Sequence, residues 1–249
     1  MTLPLISVII PVYNGEHFLA EALASIHAQN YDPLELIVVD DGSADNSAEI
    51  AKADSRLRYF YQENQGQAVA RNNGILQARG DLITFLDQDD VWPKGSLIRL
   101  VEILQKMPDV ALVNGLVQEY NYCLDDGKFY ISDRLPYWHV NLGSALFRKS
   151  IFFKVGLLSD GLKGCDDIEW FMRAWYQEVP NYSLDKVTLH YRRHDNNMTW
   201  DTITIKKGIM RVYYKHIQYN HQNLQLSHKK QNFLEYIGFN KYLKNNQKK

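Results

Sequence analysis

Cysteine is nearly absent from this 249-residue chain: Cys123 and Cys165 are too few for a disulfide framework and lack metal-ligand spacing. No run approaches the ~20 apolar residues of a membrane-spanning helix. Residues 3–12 are apolar, but the stretch is short, has no basic leader and contains Pro11, so it reads as a strand and not a signal peptide. A reducing cytoplasm is the home these absences predict, and the sequons at Asn181 and Asn197 then carry no meaning. Internal repeats and low-complexity linkers are missing. So are a G-x-G-x-x-G after the first apolar run and a G-x-x-x-x-G-K-[ST] anywhere, which removes the main support for dinucleotide dehydrogenases and P-loop enzymes.

What is present is enough for a packed core. Hydrophobic residues make up 45% and aromatics 12%, which excludes a disordered chain and fits one large domain, with or without an appendage. The net charge of -1 conceals an asymmetry: residues 205–249 hold ten Lys or Arg against one acid, Glu235, so they carry +9 and leave -10 in residues 1–204. A basic tail of this kind meets anionic lipid or nucleic acid, or is simply a solvated helical face.

Apolar periodicity gives the order of elements. Strands are predicted at 5–12, 34–39, 57–61 and 82–86, and helices at 16–29, 46–53, 67–77 and 94–106. This alternation implies a parallel sheet with right-handed crossovers. Beyond Val110 it decays: Asp125-Asp126-Gly127 reads as a hairpin turn, and 143–154, 166–177 and 205–222 read as helices.

The most informative segment is Asp87-Gln88-Asp89-Asp90, where a buried strand ends in three carboxylates within four residues. Open α/β sheets bind ligands outside the carboxyl ends of their strands, and Tyr13-Asn14 and Asp40-Asp41 fall at equivalent ends. Clustered carboxylates repel unless something positive joins them, and hard oxygen ligands suit Mg²⁺ or Mn²⁺. The alternative is a solvated acidic turn, with Asp90 capping the next helix.

These residues carry a family resemblance. Ser7-Val8-Ile9-Ile10-Pro11-Val12-Tyr13-Asn14, Val38-Val39-Asp40-Asp41-Gly42-Ser43, the stretch from Asn64 to Arg71-Asn72, and Asp87-Gln88-Asp89-Asp90 resemble, in order, the family 2 glycosyltransferases, which are inverting enzymes of GT-A fold. The likeness continues to about residue 195. It implies a mostly parallel, Rossmann-like sheet flanked by helices, with a nucleotide-sugar half at 1–110, an acceptor half at 111–204 and a basic helical extension at 205–249.

By that resemblance Pro11, Tyr13 and Asp41 line a nucleotide base pocket beside Asn14. Asp89, with Asp87 nearby, matches the DxD motif that holds Mn²⁺ or Mg²⁺ on the donor diphosphate. Arg71 falls near the pyrophosphate or the acidic cluster, or else forms a surface ion pair. Gly164-Cys165-Asp166-Asp167 through Arg173 resembles the acceptor-side segment that supplies the catalytic base, here Asp167, with Asp166 where glutamate is usual. Helix capping is the other role open to both. Cys165 reads as a packed small residue. Tyr191-Arg192-Arg193-His194 resembles the late motif whose histidine joins the metal shell, although a lone histidine is more often structural. Trp138 either stacks on an acceptor sugar or covers the core.

The function implied is metal-dependent transfer of a sugar, with inversion, from a nucleotide-sugar donor, above all a UDP-sugar. The acceptor is a hydroxyl on a sugar or a lipid-linked sugar in envelope or polysaccharide synthesis. The alternatives are a sugar nucleotidyltransferase, which would carry a glycine- and lysine-rich turn after its first strand, and a non-catalytic nucleotide-sugar-binding protein. No nucleic-acid module accompanies the basic tail, so its expected partner is the inner membrane surface.

Overall fold

β1 (Ile6–Val12) is buried at every position, as a β-branched strand at the centre of a parallel sheet must be. It pairs in parallel with β2 (Leu34–Asp40) on one side and with β4 (Leu82–Phe85) on the other, and β2 pairs with β3 (Leu57–Tyr61). The structure, a computed structural model, describes residues 3–195, 197, 198, 201–222 and 233–237. Chain order therefore runs outward from β1 in both directions, which makes the β1/β4 gap a topological switch point. Pro11 is tolerated in this central strand for a geometric reason. Strand groups alternate sides, so its missing N–H faces β4, whose pairing with β1 has already ended at Ile9↔Phe85.

The remaining strands extend the sheet past β4. β7 (Ala145–Arg148) runs antiparallel between β4 and the long β5 (Leu112–Cys123), which also pairs with β6 (Lys128–Ile131) and β8 (Asn181–Arg193). The result is one eight-stranded sheet, parallel from β3 to β4 and mixed beyond. Helices α1 (Leu19–His27), α2 (Ser47–Lys52) and α4 (Ser96–Lys106) cover one face. The opposite face is covered by α3 (Gln67–Gln77), α5 (Ser150–Val155), α6 (Asp166–Tyr176) and α8 (Phe233–Tyr236). Each aliphatic side chain fully buried between these layers contributes about 1.5–3 kcal/mol. At Gly74 of α3 an added Cβ would lie 2.3 Å from Ile9 Cγ2, so only glycine lets this helix sit close on β1.

One expectation needs correction. Residues 143–154 do not form one helix: a 3₁₀ turn (Leu142–Ser144) leads into β7, then α5. Ala145, Leu146 and Phe147 are all fully buried, and a short run apolar on both faces has no periodicity to separate strand from helix. In α7 (Thr202–Gln222), Ile205, Ile209, Val212 and Tyr213 follow helical spacing, and part of the helix packs on the body. Val212 is buried and Ile205 packs with Leu162 and Cys165, but Ile209 and Tyr213 are 49% and 62% exposed. Within the basic tail, Tyr236 is also buried in the core, and Phe239 and Tyr242 lie outside the described residues.

Candidate active site

The crevice opens where β1 and β4 end. Tyr13, 50% exposed, follows β1, and the side-chain amide of Gln88 pins its backbone from across the gap. Tyr13 N–H donates to Gln88 Oε1 (2.8 Å) and Gln88 Nε2 donates to the Tyr13 carbonyl (3.0 Å), in effect a strand pair made by a side chain. Gly15 packs against the same amide: an added Cβ would lie 2.5 Å from Gln88 Oε1, so it would have to push that amide off Tyr13. Asn14 takes a left-handed conformation (φ 50°), which asparagine tolerates, and its Oδ1 accepts from Ala44 N–H at 2.8 Å.

The acids after β2 organise their own loops. Asp40 accepts from Ser43 N–H and the Tyr59 hydroxyl, which its charge and burial push upward in pKa. Asp41 accepts from Gln62 Nε2 and the backbone N–H groups of Gln65 and Gly66, at 2.7–2.8 Å. A carboxylate offers about four lone-pair directions, so one remains on Oδ2.

The acids after β4 divide their labour. Asp87 Oδ1 receives Arg71 Nη2 (2.6 Å) and Gln67 Nε2 (3.0 Å), and burial raises its pKa against the lowering effect of Arg71. Asp89 Oδ2 lies 3.1 Å from both His194 Nε2 and Asn197 Nδ2. Asp90 does not cap a helix: α4 begins at Ser96, and Asp90 is buried with Oδ1 accepting from Arg192 N–H at 2.9 Å. Burial, reinforced by Asp89 and Asp87, holds its carboxyl well above the usual range.

Arg71 joins the two halves of the chain. It is buried, which rules out the surface ion pair, and its second arm donates from Nη1 to Asp166 Oδ2 at 2.8 Å. Asp166 is buried at the start of α6, while half-buried Asp167 accepts the nearby Ile168 N–H (2.7 Å). Burial, and then repulsion from Asp166, lifts Asp167 to about 8 against the pull of Arg71. Cys165 beside them is fully buried, its thiol pushed up to about 11 by burial, which suits packing and not nucleophilic attack.

His194 is held between aromatic neighbours. Its ring lies 4.3 Å from that of Phe18 and 6.5 Å from that of Phe129 on β6. Arg192 is buried over the same two rings (5.3 and 4.7 Å) and donates to the Asp89 carbonyl and to Glu21. Trp138 is 3% exposed, which leaves no free face for stacking on a sugar.

A model of the family described as glycosyl transferase family 2 matches residues 7–152, more than half of the chain. The chain belongs to glycosyl transferase family 2. GlyG of Streptococcus pneumoniae is 43% identical over 132 residues, 51% of this chain and 42% of that protein. An uncharacterized glycosyltransferase of Rickettsia typhi is 34% identical over 212 residues, 79% of this chain and 66% of that protein. The chain thus spans less than two thirds of the length of these curated relatives. Among solved structures, S. aureus TarS 1–349 in complex with UDP-GlcNAc superposes with a TM-score of 0.66 at 20% identity, over 79% of this chain and 60% of that one. The mannosyltransferase PcManGT from Pyrobaculum calidifontis, in complex with GDP-Man and Mn²⁺, gives 0.70 at 19% identity, over 98% and 70%. At these identities the likeness shows the fold, which is GT-A.

The sequence reading passed over several side chains of this family 2 crevice. Gln88 sits between two acids in the chain, and its pairing with Tyr13 shows only once the ends of β1 and β4 lie side by side. Arg192, Phe18, Phe129 and Asn197 lie far apart in the chain and are recognisable only once β6 and β8 are placed. Gln88→Ala removes two hydrogen bonds of about 1 kcal/mol each, so the Michaelis constant for donor is expected to rise roughly tenfold with kcat largely kept. Gly15→Ala should do the same. Equal losses in kcat would instead place Gln88 in the chemical step.

Proposed function

We propose that the chain catalyses metal-dependent, inverting transfer of a sugar from a nucleotide-sugar donor, most simply a UDP-sugar, to a hydroxyl acceptor. The observation that supports this reading is the Arg71 bridge, which ties Asp87 after β4 to Asp166 at the start of α6; on this reading the neighbouring Asp89 and Asp167 serve one crevice. Tyr13, Pro11 and the remaining lone pair of Asp41 suit a flat base bearing an imide donor. The Asn14 turn holds that pocket together.

Among the described residues no three His, Cys, Asp or Glu side chains converge on a closed metal cage. That still fits Mg²⁺ or Mn²⁺, which commonly takes one or two protein ligands and completes its shell with substrate phosphate and water. Asp89 and His194, already side by side, are the ligands the geometry offers. A divalent cation bound there neutralises charge on the departing diphosphate. The protein's own step is at Asp167, whose carboxylate takes the acceptor proton as that oxygen attacks the anomeric carbon opposite the leaving group. Asp166 and Arg71 position it.

A nucleotide-sugar panel assayed for nucleoside diphosphate release, with and without Mn²⁺, Mg²⁺ and EDTA, tests the reading. Release from one donor class, lost in EDTA and restored by a divalent ion, is expected. Release indifferent to EDTA overturns the metal, and binding without release from any donor overturns the enzyme. The acceptor class best suited to an envelope or polysaccharide role is a sugar or lipid-linked sugar, handled at the inner membrane face.

A further inference from the structure

An ordinary surface helix shows polar residues outward, and α7 does not. Its inward stripe is Ile205, Gly208, Val212, His216 and Tyr219, packed along α6. A period of 3.6 puts Ile203, Met210 and Tyr214 on the opposite pole, and they are 65%, 71% and 62% exposed. Lys206 and Lys207 flank that line and are exposed, with Arg211 and Tyr213 at its margins. Residues 202–222 contain no Asp or Glu at all.

Charge and greasiness on one pole are the mark of a helix that lies in a lipid headgroup region, with apolar side chains dipping inward and lysines meeting anionic groups. A helix face serving only solvent would not expose Ile, Met and Tyr in register over three turns. The placement matters as well. α6 and α7 run side by side in the same direction, with Cys165 Sγ 3.7 Å from the Ile205 carbonyl at one end and Tyr176 against Tyr219 at the other. The start of α7 therefore adjoins the start of α6, where Asp166 and Asp167 lie.

We propose that the Ile203–Met210–Tyr214 face of α7 seats the chain on an anionic bilayer and brings a lipid-linked acceptor to the Asp167 end of α6. The inference rests on the transferase reading only for the acceptor, since the surface itself is independent of it. Flotation of the whole chain with phosphatidylcholine vesicles, with and without 30% phosphatidylglycerol (roughly the charge density of an anionic leaflet), separates the two. Binding is expected only with the anionic lipid, weakening as salt rises. Lys206→Glu with Lys207→Glu should weaken it tenfold or more, at about 1 kcal/mol per charge near the surface, and Met210→Asp with Tyr214→Asp should abolish it. UDP affinity and thermal unfolding should be unchanged in both variants. Folded protein that stays down with anionic vesicles overturns the surface while leaving the transferase reading intact. So does a concentration-dependent dimer broken by Met210→Asp, which would assign the face to a second copy. Flotation without binding of any nucleoside diphosphate would sink the transferase reading instead.

Discussion

Asp89→Ala is expected to slow sugar transfer by roughly a thousandfold or more, about 4 kcal/mol of transition-state stabilisation, and to weaken UDP binding with it. On the proposed reading the donor diphosphate would bring its charge beside Asp87 and Asp89, so it would bind only if a cation joins the two sets of anions. If Asp89 and His194 are its protein ligands, as proposed, removing the carboxylate would leave that cation barely held. The change should not unfold the protein. Asp89 is tied to Arg192 through its backbone carbonyl, which alanine keeps, and Asn197 still accepts the His194 N–H through Oδ1. A normal melting temperature with activity lost is the expected pair of results. Unaltered transfer by the variant, or by wild type in excess EDTA, would show that Asp89 has no part in binding a cation.

Much of this site is legible in the chain because parallel strands do the assembling. Tyr13, Asp40, Asp41 and Asp87 each follow a β-branched apolar run, and any parallel sheet brings such ends to one edge. The helix expected at 67–77 matches α3 to the residue. What could not be read is what depends on pairing across the fold. β7 is apolar on both faces, so nothing in its pattern announces a strand inserted between β4 and β5. The burial of Trp138 follows from the β5–β7 arrangement and not from its neighbours in sequence. Arg71 is a single basic residue on a helix, and only the approach of α6 turns it into a buried bridge. The outward pole of α7 escaped for a related reason. Ile205 and Ile209 are equally apolar, and only the position of Cys165 decides which of them faces inward.

Asp167→Asn should separate binding from chemistry. The amide keeps the size of the side chain and can still accept the Ile168 N–H through its oxygen, but it cannot take a proton. Donor affinity should survive while transfer falls about a hundredfold or more. The pH dependence gives a second, independent reading. The free carboxyl is held up to about 8 by burial and by Asp166. Since a base works only when ionised, kcat/KM of the wild type should climb with pH toward that value, and the residual activity of Asp167→Asn should lack the limb. Stability runs the other way. The folded value lies above the ordinary 3.8, so the stabilising protonation is complete below 3.8 and is lost as pH rises through about 8. Asp167→Asn escapes that loss. Its melting temperature should draw ahead of wild type between mildly acidic and alkaline pH, by about 2–4 °C for each kcal/mol in a chain of this size. A mutant that loses UDP affinity and melts lower at every pH would make Asp167 a structural cap, and Asp166 the better candidate for the base.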